Sequence, residues 1–163
     1  MSTPGRPLGQ VLRDQLKANP ANRSILSQAL PTIVALEQSR HVDIRDMHPA
    51  VQALFHPAIQ DFLINAFAYD PRDLLAGLSK PVLIVQGQRD IQVGEQDARL
   101  LQQANSQAKL ILLSDVNHFL KAVHSQDPQD NMETYSNSDL PLASGVVKAI
   151  ADFLASNSST AKN

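Results

Sequence analysis

The chain has 163 residues, 43% of them hydrophobic, which suits one ordinary globular domain and excludes a disordered chain. The net charge is −2, with basic residues scattered along the sequence, so nothing favours a nucleic-acid partner. There is no cysteine, which excludes disulfides and thiolate metal sites, and no apolar run long enough for a membrane span or a signal peptide, so the default expectation is a soluble cytoplasmic protein.

The first half of the chain reads as helical. A short helix is expected over Leu8 to Leu16. Leu26, Leu30, Ile33 and Val34 follow a helical i, i+4, i+7, i+8 spacing, with Pro31 expected to bend or interrupt that helix. His41 to Pro49 is polar and ends in proline, the mark of a loop. His56, just before Pro57, reads as a helix-entry residue. Ile59, Phe62, Leu63, Ala66 and Phe67 then form an amphipathic stripe. The aromatic side chains Phe55, Phe62, Phe67 and Tyr69 suit either a core or a substrate-facing wall.

Near residue 80 the pattern changes. Pro81-Val-Leu-Ile-Val-Gln86 is a continuous apolar run closed by Gly87, and Lys109-Leu-Ile-Leu-Leu113 is another. Neither alternates, so both predict strands of a parallel sheet covered on both faces. Gly94 to Ala104 predicts the connecting helix, with Glu95 and Asp97 at its electropositive start. A last helix is expected from Ser144, with Val147, Ile150, Ala151 and Leu154 on one face. Ser156 to Asn163 reads as a disordered polar tail. Two such strands do not make an independent sheet, because their backbone groups and both faces need neighbours. No strand is predicted before residue 80, so this census already suggests part of a larger sheet.

Asp90 follows the first predicted strand and His118 the second. In an α/β sheet, ligands bind beyond the carboxyl ends of the strands. Parallel neighbours would place the two loops side by side, with the carboxylate able to hold the imidazole in one tautomer. A turn-capping aspartate and a loop histidine explain the same positions equally well.

The order Pro81-Val-Leu-Ile-Val-Gln-Gly-Gln-Arg-Asp90, helix, Lys109-Leu-Ile-Leu-Leu113 and Val116-Asn-His118 resembles the end of the α/β-hydrolase fold. The likeness is strongest to serine hydrolases of the serine aminopeptidase-like or hydrolase-4-like kind, and covers residues 70–155. It implies that Asp90 and His118 are the acid and base of a Ser–Asp–His triad. It implies a helical lid over residues 1–78, a βαβα part of the core over 79–155, and a tail over 156–163. Asp115 stands where this family often has glycine, three residues before the histidine. The nucleophile elbow G-x-S-x-G is absent. Its nearest string, Gly77-Leu-Ser79-Lys-Pro81, precedes a strand instead of following one.

The expected role is thus the C-terminal part of a hydrolase acting on an ester, thioester or amide bond, inactive by itself. Its partners would be a small acyl substrate and a missing N-terminal half that brings the serine. The rival is a non-catalytic binding module that dimerises through an exposed strand edge. A serine-free enzyme activating water ranks last, since the pair alone lacks an electrophilic stabiliser. No cofactor or metal is expected. His41, Asp43, Asp46 and His48 match no metal-binding spacing, and His118 and His124 are too far apart for one face of a zinc helix.

Overall fold

The computed structural model describes residues 3–125 and 127–158. Among them the protein is mixed α/β, with eight α-helices and a two-stranded parallel sheet. It divides into two compact units, one of residues 6–71 and the other of the segment up to Gly5 with residue 72 onward.

Residues 6–71 hold α1 (Leu8–Ala18), a 3-10 turn at Pro20–Asn22, α2 (Leu26–Glu37), α3 (Pro49–Leu54) and α4 (Pro57–Phe67). The core of this unit is built on Ile25, Ala29, Ile33 and Leu36 of α2 with its N-cap, Phe55 after α3, and Leu63 and Phe67 of α4. Two expectations shift here. Pro31 does not interrupt α2. It lies on the exposed side, so water can reach the Ser27 carbonyl whose i+4 donor it removes. The buried stripe is also rotated from the expected one, because Val34 is exposed while Ala29 and Leu36 are fully buried. On α4, Phe62 likewise points outward.

Both α3 and α4 open on a His-Pro pair. Proline at the first helical position loses no intrahelical bond. The preceding histidine caps the helix, with Nδ1 of His48 accepting from Ala50 N at 3.1 Å and Nδ1 of His56 accepting from Ala58 N at 3.2 Å. Gln60 is buried and pins the 41–48 loop. Its Oε1 accepts from Val42 N, and its Nε2 donates to the carbonyls of Val42 and Phe55.

The second unit contains α5 (Pro71–Ala76, save its first residue), β1 (Leu83–Gly87), α6 (Glu95–Ala104), β2 (Lys109–Leu113), α7 (Pro128–Ser136) and α8 (Ser144–Ser158). The strands β1 and β2 pair in parallel, with Leu83 opposite Lys109 and Gly87 opposite Leu113. Gly94 caps α6, and Glu95 and Asp97 occupy its first turn as expected. Asp97 is buried and accepts a hydrogen bond from Gly5 N at 3.0 Å. The helix α8 starts at Ser144 but packs through Val146 and Ala149, while the expected face of Val147, Ile150 and Leu154 is exposed. It runs through Ser158, so residues 156–158 are helical and not part of a disordered tail. Residues 159–163 lie outside the described residues.

Apart from Gln86 and Gly87, the strand residues are half-buried or exposed. The ladder explains why this matters. Lys109 N donates to Val82 O, and Gln88 N donates to Leu113 O, both at 2.9 Å. In a parallel pair the residues alternate between neighbours. Ile84 and Gln86 therefore face β2, whereas Leu83 and Val85 direct their peptide groups away from it. Leu110 and Leu112 do the same on the far side. Among the described residues no further strand meets either edge.

Hydrogen exchange tests this register directly. The amides of Leu83, Val85, Leu110 and Leu112 are expected to exchange fast in the isolated chain, and those of Ile84, Gln86, Ile111 and Leu113 slowly. Equal protection of all eight would mean that both edges are already paired.

Candidate functional site

The end of β1 has no side chain where the histidine loop crosses it. A Cβ on Gly87 would sit 2.1 Å from the Val116 carbonyl oxygen and 3.1 Å from that of Asn117. Glycine is needed there for close backbone approach, since nothing larger fits. The approach lets Arg89 N donate to Val116 O at 2.9 Å, which continues the strand pairing into the two loops.

This stitching sets Asp90 beside His118. Nδ1 of His118 donates to Oδ2 of Asp90 at 2.9 Å. The Asp90 side chain is fully buried and that of His118 is 10% exposed. The other carboxylate oxygen accepts from Gln92 N and Val93 N, each at 2.8 Å. The turn-capping role and the pairing role thus coexist, one on each oxygen. Nε2 of His118 makes no hydrogen bond among the described residues, so it remains available as a proton acceptor.

The histidine loop is held by a residue that the sequence reading did not single out. Asn117 is fully buried and satisfies all its amide hydrogen-bonding capacity. Its Oδ1 accepts from Phe119 N and Lys121 N. Its Nδ2 donates to Asn131 Oδ1 and Thr134 Oγ1 on α7. The turn closes with Leu120 at φ 59°, a left-handed conformation unfavourable for a branched side chain. The Leu120 side chain offsets that cost by packing with Val116, Ala143 and Val146. Lys121 Nζ donates to the Leu140 carbonyl. Asp115 sits 3.8 Å from Arg89, an ion pair that glycine at that position could not form.

One aromatic ring lies beside the imidazole and a second lies against the first. Phe119 meets the His118 imidazole edge-on with centroids 5.7 Å apart, and its other neighbour is Tyr135 at 4.5 Å. Burial pushes the Tyr135 phenol above its ordinary pKa; a hydrogen bond with Gln92 opposes this, and the charge of Asp90 adds to it.

The remaining sequence candidates fall elsewhere. Ser79 lies before β1, at the opposite end of the strand from Asp90. Five strand residues span about 17 Å. The polar residues of the 41–48 loop do not converge either. His41 bonds Asp61, Asp43 bonds Arg45, and His48 caps α3. The Arg45 guanidinium holds the Asp43 carboxyl down at about 2. No group of three metal-ligating side chains occurs among the described residues. Phe55 and Phe67 are core, whereas Phe62 and Tyr69 are exposed.

Gly87→Ala is expected to destabilise the protein by about 1–3 kcal/mol, because the histidine loop must back away from the strand. Urea unfolding measures that loss. An unchanged midpoint would mean the loop yields freely.

Comparison with family models, curated proteins and solved structures found no match to this chain.

Proposed function

We propose that this chain carries the acid and base of a serine α/β-hydrolase site, with the nucleophile supplied by a segment outside these residues. The observation that carries the reading is the Asp90–His118 hydrogen bond at the carboxyl ends of two parallel strands. The helices of residues 6–71 would be its lid, and β1 to β2 with their helices part of its core.

The chemistry follows from the two ring nitrogens. A carboxylate can only accept, so Asp90 holds the proton on Nδ1 and leaves the Nε2 lone pair open. A serine hydroxyl brought to Nε2 would give up its proton as its oxygen attacks an acyl carbon. The tetrahedral intermediate would collapse as the imidazolium returns that proton to the leaving oxygen, sulfur or nitrogen. Asp90 stabilises the imidazolium in between. Water would then repeat the sequence on the acyl-enzyme. Among the described residues no hydroxyl bonds Nε2 of His118, so on this reading turnover needs a segment that delivers one, together with donors for the oxyanion.

A non-catalytic binding module of the same descent is the second reading. The outer edges of β1 and β2, which no strand among the described residues meets, favour it. A stable dimer that protects Leu83 and Val85 from exchange would support that reading over the first.

Intact-mass labelling with a fluorophosphonate, beside a His118→Ala control, tests the first reading. The folded chain alone is expected to form no adduct. A stoichiometric, His118-dependent adduct would place a nucleophile within these residues and overturn the split-site proposal. In an assembly that restores the serine, Asp90→Asn is expected to lower kcat/KM by about 10³–10⁴-fold and His118→Ala by at least as much. Undiminished turnover in His118→Ala would remove the histidine from the mechanism.

A further inference from the structure

We propose that Asn131 is a positioning residue that locks the acid loop to the base loop. Its importance for catalysis rests on the acid–base reading above, while the geometry does not.

The helix α7 has no apolar stripe, and Asn131 is its one buried residue. A polar helix of this kind is placed by its hydrogen bonds and not by a hydrophobic face. Nδ2 of Asn131 donates to the Arg89 carbonyl at 2.6 Å, one residue before Asp90. Its Oδ1 accepts from Asn117 Nδ2 at 3.1 Å, one residue before His118. A single buried amide therefore joins the residues that immediately precede the acid and the base. Thr134 reinforces the joint, accepting from Asn117 Nδ2 at 2.6 Å and donating to the Asn131 carbonyl at 2.7 Å. One residue further along, Tyr135 packs on Phe119, which follows His118. The helix thus grips the base from both sides and the acid from one.

Neither loop can drift without stranding a buried polar group, and that asymmetry is what makes the joint stiff. Asn131→Asp keeps the acceptor for Asn117 but turns an oxygen toward the Arg89 carbonyl. Asn131→Ala removes both links. Thr134→Val keeps the volume and removes only the hydroxyl.

The test is NMR of the full chain labelled with ¹⁵N, reading the His118 tautomer and the hydrogen-bonded Nδ1 proton. Asp90→Asn identifies that proton by abolishing it. Both Asn131 variants are expected to speed its exchange with water about tenfold or more, the scale of one lost buried hydrogen bond. Thr134→Val should move it the same way by less, and serves where an Asn131 variant does not fold. Leu101→Ala, in the core contact of α6, should lower stability and leave the signal unchanged, which separates positioning from general loosening. An unaltered signal in folded Asn131→Ala, or in Thr134→Val where that variant does not fold, would overturn the proposal alone. Absence of the proton from the wild-type chain would instead overturn the acid–base pair beneath it.

Discussion

The close contact between Gly87 and the Val116 carbonyl is the constraint from which the rest of the site follows. Parallel strands bring their carboxyl ends to the same edge, but they do not by themselves bring the following loops into hydrogen-bond range. Here the absence of a Cβ lets one loop lie across the end of the other strand. The bonds from Gln88 N to Leu113 O and from Arg89 N to Val116 O then extend the ladder past the sheet. Asp90 and His118 meet as the next step of that zipper. A carboxylate fixed by two backbone amides offers its second oxygen in one direction only, and the imidazole takes it.

The same unit has its buried side-chain amides bonded at this edge and is poorly covered along its sides. Asn117, Asn131 and Gln86 are buried polar residues with bonded amides. The strands beneath them carry leucine, isoleucine and valine that stay half-buried, with peptide groups of Leu83 and Val85 directed at no strand among the described residues. Polar satisfaction and apolar cover normally rise together in a folded unit. On the proposed reading, their separation here arises because the loops are wired within the unit while a complementing segment would supply the lateral cover. The exposed Val147, Ile150 and Leu154 of α8 belong to the same deficit.

Much of this was legible in the sequence, and the boundary of legibility is physical. Two unbroken apolar runs with a helical segment between them define the parallel pair, and β2 spans the residues expected. Asp90 and His118 could be placed because position after a strand is a one-dimensional property. Helix faces were less legible. In α2 and α8 apolar residues occur on more than one side, so spacing alone selects a stripe without saying which one is buried. The helix α3 is too short for a periodicity, and α7 has none. No helix is expected at α7 from the sequence, and the one signal it offers is local: Asp127 before Pro128, a side-chain cap followed by proline at the first helical position. The partners of Asn117 were not legible at all, because a buried amide network is defined by residues distant in sequence.

The network also bears on the proposed split site. Backbone strain and buried polarity meet in the histidine loop, at Leu120 with its positive φ and at Asn117 with no exposure. Both are tied by hydrogen bonds: the Asn117 amide makes four, and Leu120 donates to the Asn117 carbonyl and accepts from Ala143 N. Their ties run to α7, to the Arg89 loop and to α8 through Ala143, all inside residues 72–158. Asp90 and His118 are therefore held in place by hydrogen bonds within the unit that carries them. On the proposed reading, a complementing segment would have to deliver a hydroxyl to Nε2 and donors for the oxyanion, and the Asp90–His118 pair would handle the proton.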